Sequence, residues 1–362
     1  MFSWRRPDGT GFLCSGIADY IDAADIAKLR SRFGDDAIAV AALPFSGIVP
    51  LVVPAEVTWF DAAGAGTTLT FGESSAWLEP PLATHSMPRV PRRFVVEAAQ
   101  DLNTWDSAVA SALAAIDSRE LDKVVLAREV VVEADTKFDI RAVLDRLTTT
   151  QPGCYVYAHD NFVGASPELL VQRDGETVMS RPMAGTTPRR DQPEADEQAI
   201  KELQASSKDD FEHRLVVESV RGALAPHTTQ LEVGDPQPER FTSVTHLTTT
   251  IRAKIADSGL SALDLALLLH PTPAVAGSPL KSALSTISRL EPFERGLYGG
   301  PVGWVDANGD GEFAVALRCA DISGNKARLL VGAGIVAGSD PDLEWAETQA
   351  KLEPMLRCLV RP

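Results

Sequence analysis

The chain has 362 residues, with 34 Lys and Arg against 50 Asp and Glu, a formal net charge of −16. That acidity argues against nucleic acid or an anionic membrane surface as the main partner, because both reward clustered Lys and Arg. The 44% hydrophobic content excludes disorder as the default state, and a locally positive pocket for a small anion remains compatible with the overall charge.

Four cysteines, Cys14, Cys154, Cys319 and Cys358, form no CxxC pair, so neither a disulfide scaffold nor a zinc site is expected. From Ala37 to Ala55 no residue is charged, yet Pro44, Gly47, Pro50 and Pro54 would break a membrane helix. Two buried strands, Ala37–Leu43 and Ile48–Val53, are expected there instead. With no apolar run behind Arg5 and Arg6, no signal peptide is read, and a cytoplasmic, reduced protein is expected.

Ser86–Arg93, with Pro88 and Pro91, reads as a surface connection. Trp105, Val109, Leu113 and Ile116 share one helical face. Val124–Val132 is a β-branched run and reads as a strand. Asp139 caps a helix with Ile140, Val143, Leu144 and Leu147 as its stripe. Cys154–Ala158 and Leu169–Arg173 read as strands, the second turning at Asp174–Gly175. Glu194–Gln204 reads as a polar, exposed helix, and a second helix runs from Ser206/Ser207 to about Leu224 behind Asp209 and Asp210.

His246–Ile255 alternates like one half-buried strand, and Leu280–Leu290 like an amphipathic helix. Gly299–Val305, Glu312–Asp321 and Ala327–Val331 read as three strands, and a helix from Asp340/Pro341 to about Leu359 closes the chain. Hairpin-like strand runs with helices in blocks imply an α+β fold with large antiparallel sheets rather than a doubly wound one. Residues 1–362 are expected to close into a single domain.

Two motifs are set aside. Gly332-Ala-Gly334-Ile-Val-Ala337 matches a dinucleotide fingerprint in letters, but no second strand with an acid follows. Asp306-Ala-Asn308-Gly-Asp310-Gly311 opens like a calcium loop, yet Leu317 stands where the bidentate Glu belongs, so it reads as a hairpin turn.

Polar groups stand where local structure predicts none. Lys123 opens an apolar strand, and alternation places Arg318 on the face of Glu312, Ala314 and Ala316. Glu344, Glu347 and Lys351 share one face of the last helix, and Glu212 lies one turn into the Ser206 helix. Each alone is an ordinary solvated or packed residue; the set together carries the reading.

That set resembles the chorismate-utilising enzymes, which include isochorismate, salicylate, anthranilate and aminodeoxychorismate synthases. The resemblance rests on Asp122-Lys-Val-Val-Leu-Ala-Arg128, Gly164-Ala-Ser-Pro-Glu-Leu-Leu170, Ser180-Arg-Pro-Met-Ala-Gly-Thr186 and Ser207-Lys-Asp-Asp-Phe-Glu-His213. It continues through His270-Pro-Thr-Pro-Ala-Val-Ala-Gly277, Arg295-Gly-Leu-Tyr-Gly-Gly-Pro301, Ala314-Val-Ala-Leu-Arg318, Val331-Gly-Ala-Gly-Ile-Val-Ala-Gly338, Glu344-Trp-Ala-Glu-Thr348 and Lys351-Leu. It spans roughly 120–355, with 96–362 as the family core and 1–95 as a divergent N-terminal part.

The resemblance implies two large antiparallel sheets packed as a sandwich, with helices around them and the site between. It implies Mg²⁺ held by Glu212 and Glu347, with Glu344 on a metal-bound water, and chorismate as substrate with no glutaminase subunit. Arg318, Tyr298, Lys351 and the backbone at Gly332 and Gly334 would grip a carboxylate. Ala184, Gly185, Thr186 and His246 would form pocket walls. Lys123 is the residue type of family members that add water, as general base, with Glu168 as the acid. Ala274 matches the isochorismate-forming pattern, where salicylate-forming relatives tend to carry Thr. The expected activity is therefore water addition at C2 with loss of the C4 hydroxyl. Salicylate synthesis, an anthranilate or aminodeoxychorismate synthase component, and a non-catalytic chorismate-binding subunit are the alternatives.

Overall fold

A computed structural model describes residues 1–71, 91–256 and 259–360. Of the expected connection Ser86–Arg93, positions 86–90 lie outside the described residues. The architecture is α+β, and all strand pairings among the described residues for which a register is defined are antiparallel. The sheets are not two equal leaves. Among the described residues eighteen strands hydrogen-bond into one network, and three more form a separate sheet. Within the large network Gly11–Ile21 pairs with Leu51–Phe60 along its length, with a register shift between Ile17 and Asp19, a bulge that bends the strand.

The N-terminal strands join that same network. Phe2–Arg5 pairs with Tyr155–His159, and Ile38–Ala42 pairs with Pro301–Asp306. At the centre, the strand Lys123–Ala134 runs antiparallel to Lys326–Val336 along its length, with Lys123 opposite Val336, Val125 opposite Gly334 and Ala127 opposite Gly332. Both faces of this pair are covered over Val124–Ala127 and Leu329–Val336, so those stretches are continuous apolar runs rather than alternating ones.

The closing helix Pro341–Val360 packs Leu352, Met355, Cys358 and Leu359 into the cluster that holds Val130 and Val132. Arg128 fixes its other end. The guanidinium lies 4.1 Å from the Trp345 ring centroid, and its Nε donates to Thr348 Oγ1 at 2.6 Å. Burial lowers the Arg128 pKa to about 10. Side-chain caps start three further helices: Asp139 for Ile140–Thr150 and Ser206 for Ser207–Leu224, as the sequence implies, and Asp101 for Leu102–Asp117.

Four elements differ from expectation. The run His246–Ile255 is two strands, Val244–Thr248 in the three-stranded sheet and Ile251–Ile255 in the large one. Alternation continues through the break, so it could not reveal a change of sheet. The run Glu312–Asp321 likewise splits into Gly311–Val315 and Cys319–Ser323, with Arg318 between them at φ 48°. Arg318 therefore does not share a strand face with Glu312, which instead accepts from Trp4, Arg6 and Trp304 far from it. The helix Pro193–Ala205 is not wholly exposed, for it buries Asp196, Ala199, Ile200 and Leu203. The strand begun at Ile48 starts at Leu51, leaving Ile48 and Val49 in solvent. A helix that the reading passed over, Ala262–Leu269, opens with a reciprocal Ser261/Asp264 capping box.

Candidate active site

The two strands at the centre, the start of the Ser207–Leu224 helix and the three-stranded sheet enclose a cavity of about 700 Å³, its mouth included. Lys123, Glu168, Glu212, His246, Tyr298, Arg318 and Lys351 supply its polar lining, and Ala184, Gly185, Thr186, Ala274, Gly332 and Gly334 its small residues. Glu344 and Glu347 do not line it; they stand behind Glu212 and Lys351 on the closing helix.

Lys123 is 1% exposed, against the habit of a strand-end lysine to reach water. Its Nζ lies 2.9 Å from Glu212 Oε1. A Cβ on Gly334 would collide with that same Oε1 and crowd the lysine stem. Glycine at 334 is thus what lets the pair lie against the strand.

Two more such pairs adjoin it. Lys351 Nζ donates to Glu347 at 2.6 Å and to Gly332 O at 3.3 Å, while Lys208 Nζ meets Glu344 at 2.5 Å. Ser339 also donates to Glu344, at 2.7 Å. Burial works to raise Glu212, but Lys123, Lys351 and Lys208 outweigh it and hold the carboxyl below its ordinary value. Glu347 is raised, by burial first and then by the negative charges of Glu344 and Glu212 against Lys351.

Three carboxylates close enough to perturb one another, each neutralised by one lysine, form a hard oxygen-donor cluster suited to Mg²⁺. A dication and a dianionic substrate would enter this cluster with their charges cancelling. Among the described residues no three of these groups yet stand at ligating distance of one point, each being turned to its lysine.

The opposite chemistry occupies another wall. His246 Nε2 lies 2.8 Å from Arg318 Nη2, and its Nδ1 lies 3.0 Å from Thr186 Oγ1. Arginine has only donors, so Nε2 accepts and the ring proton sits on Nδ1, donating to Thr186. Burial and the adjacent Arg318 hold His246 well below its ordinary pKa, so it stays neutral. The Arg318 guanidinium also lies 5.4 Å from the Phe241 ring centroid, and its buried Nη1 has no hydrogen-bond partner among the described residues. A buried cationic donor left short of an acceptor is suited to binding a carboxylate.

Glu168 follows Ser166 at the end of a strand, with its amide donating to Ser166 Oγ at 3.2 Å and Val315 N donating to its carbonyl. Burial pushes its carboxyl up to about 7, in spite of a backbone donor at Met183 and the charges of Lys123, Lys351 and Arg318. A carboxyl that still carries its proton near neutral pH can act as a general acid. Tyr298 is buried beside Gly332, where burial pushes its phenol up and keeps it protonated. Ala274 donates its amide to Thr272 Oγ1 at 3.3 Å.

The structure thus brings together every residue singled out from the sequence, with Glu344 and Glu347 one layer back. It adds Lys208, four residues before Glu212 on the same helix face, a spacing that could have identified it. It also adds Asp209, whose carboxylate faces the Thr186 amide at 3.4 Å; this contact crosses elements and has no sequence signal.

Residues 73–360 match the chorismate binding enzyme family. The chain belongs to the chorismate-binding enzymes. Within them, it is 37% identical over 340 residues to the isochorismate synthase EntC of Escherichia coli K12, covering 92% of this chain and 84% of that one. It is 36% identical over 336 residues to the isochorismate synthase DhbC of Bacillus subtilis 168, covering 89% and 80%. The solved structure of the menaquinone-specific isochorismate synthase MenF from Escherichia coli superposes with a TM-score of 0.87 at 30% identity, over 99% of this chain and 88% of that one. Anthranilate synthase component I from Streptococcus pneumoniae shares the fold alone, with a TM-score of 0.71 at 22% identity. Among the described residues of this chorismate-binding enzyme, no helix is long and apolar enough to cross a membrane.

Proposed function

We propose that this chorismate-binding enzyme is an isochorismate synthase, an isomerase that adds water at C2 of chorismate and expels the C4 hydroxyl. The observation that carries the reading is one cavity lined by a buried lysine, a buried carboxyl with its pKa near 7, and an arginine nitrogen without a hydrogen-bond partner among the described residues. Binding alone needs neither an acid nor a base, and ammonia needs no strong base. Water does, and Lys123 is the group in reach of it.

Arg318 Nη1, with Tyr298, Lys351 and the Gly332 backbone beside it, takes one substrate carboxylate, while neutral His246 fixes the guanidinium. Glu212 and Glu347, with Glu344 in support, would hold Mg²⁺, whose positive charge would offset those carboxylates in place of the lysines and offset the other substrate carboxylate. Lys123 then accepts a proton from water as the oxygen bonds to C2. The two ring double bonds shift by one position each, the C4–O bond breaks, and Glu168 gives its proton to the departing hydroxyl, which leaves as water. A proton passed from Lys123 to Glu168 resets the pair, so nothing is consumed. Ala184, Gly185, Thr186 and Ala274 shape the walls. The enzyme works in the cytoplasm as a single domain without a glutaminase subunit.

The test is incubation with chorismate and Mg²⁺, followed by chromatography over time. Isochorismate should rise to a plateau with little pyruvate, and EDTA should abolish turnover. Stoichiometric salicylate and pyruvate would place the protein with the salicylate synthases instead, and full turnover in chelator would remove the metal assignment.

A further inference from the structure

We propose that the buried ion pair Glu291–Arg295 is a positioning pair that holds the strand carrying Lys123 in register with the cavity. The proposal rests on the reading of Lys123 as the base. Its starting point is a gap. One edge of Lys123–Ala134 is paired throughout with Lys326–Val336. The other edge is paired at its start with Gly277–Ser278 and at its far end with Phe94–Ala98, which stops opposite Val130. Between the two, Ala276 O still accepts from Val125 N and Ala99 N donates to Glu129 O, but no strand among the described residues reaches Val125 O, Ala127 N and Glu129 N, which leaves a gap.

Side chains cover it instead. Arg295 Nη2 donates to Val125 O at 2.8 Å, and Glu291 Oε1 accepts from Ala127 N at 2.7 Å. Gln100 Oε1 accepts from Glu129 N at 3.0 Å, completing the edge. A guanidinium donor and a carboxylate acceptor thus stand where the N–H and C=O of a neighbouring strand would be. Buried backbone groups left unmet would each destabilise the fold, so some cover is obligatory. An ion pair is more than the edge requires.

The excess has a direction. Arg295 and Glu291 are bound to each other twice, at 2.8 and 2.6 Å, and their side chains are each 3% exposed. A third arm, Arg295 Nη1, donates to Val275 O at 2.6 Å, and the guanidinium lies 4.4 Å from the Phe45 ring centroid. One planar, fully engaged fork therefore ties Val125, two residues after Lys123, to Val275, the neighbour of Ala274. Tyr298 is anchored to the same residue through its amide, which donates to Arg295 O at 3.1 Å. Lysine cannot reproduce this fork.

A double-mutant cycle tests the proposal, with Arg295→Lys in the parent and in a Lys123→Gln background, reading kcat, KM and melting temperature. In the parent, Arg295→Lys should lower kcat by about tenfold to a hundredfold, the scale of a small misplacement of a catalytic group, with KM within about threefold. With Lys123 absent, the same change should cost no more than about threefold, because coupled residues are not additive. Glu291→Gln keeps the acceptor for Ala127 and loosens the arginine, so it runs the same cycle should Arg295→Lys fail to fold. Equal losses in both backgrounds, or a rise in KM at unchanged kcat, would overturn the proposal and leave Lys123 as the base. Retention of rate by Lys123→Gln alone would remove the base itself, and the proposal with it.

Discussion

Arg295 and Arg318 are both buried, both stack on an aromatic ring, and belong to different regions with opposite accounts. At the strand edge, Arg295 meets a carboxylate and two carbonyls, so nothing is left over for a ligand. On the cavity wall, Arg318 meets a neutral histidine, and its Nη1 has no hydrogen-bond partner among the described residues. The contrast separates the two uses of a buried charge. Where the protein supplies every partner, the charge holds shape; where it withholds one, the charge is open to an acceptor from outside the chain.

The largest effect that would break this contrast comes from Glu168, whose role demands a proton rather than a partner. Glu168→Gln should lower kcat by at least about a hundredfold, measured as initial rates of isochorismate formation; a loss of only a few-fold would show that the C4 hydroxyl leaves without it. Next is Arg318→Lys, which keeps the charge and loses the planar fork. Charge-assisted hydrogen bonds contribute about 1.5–3 kcal/mol, so KM for chorismate should rise about tenfold or more. An unchanged KM would mean that the free donor does not meet the substrate.

The smallest effect concerns stability. The folded-state pKa of Glu168 is raised from 4.5 to about 7, so the parent loses stability as pH climbs through that interval, by about 3 kcal/mol at pH 8. Glu168→Gln lacks this titration. Its stability advantage over the parent, read from urea midpoints, should therefore be greater at pH 8 than at pH 5. An advantage independent of pH would contradict the raised carboxyl.

Much of this molecule is legible from sequence for identifiable reasons. The helices with a repeating apolar stripe, Leu102–Asp117 and Ile140–Thr150 among them, announce themselves, the second with its Asp139 cap as well. The cavity residues were legible through their motifs, whereas alternation misplaced Arg318. Its side chain leaves the chain at a break between strands, where a left-handed backbone, not a strand face, sets its direction. Two strands in different sheets read as one at His246–Ile255, because a period of two carries no information about which sheet is joined. Lys208 was recoverable from its four-residue spacing to Glu212. The pairing of Glu291 with Arg295 has the same spacing, but its purpose, covering Val125 and Ala127, depends on a gap in pairing that only the fold defines.

The central claim is that Lys123 activates water, and the contrast between two nucleophiles tests it most directly. Lys123→Gln is assayed with chorismate and Mg²⁺, once in water alone and once with added ammonium, and both products are resolved by chromatography. Isochorismate formation should fall by at least about a hundredfold, because a positioned general base is worth about 10²–10⁴ in rate. An amino adduct should still form, slowly, with ammonium, since ammonia needs no base and Glu168 remains to release the C4 hydroxyl. Isochorismate made within a few-fold of the parent rate would contradict the account.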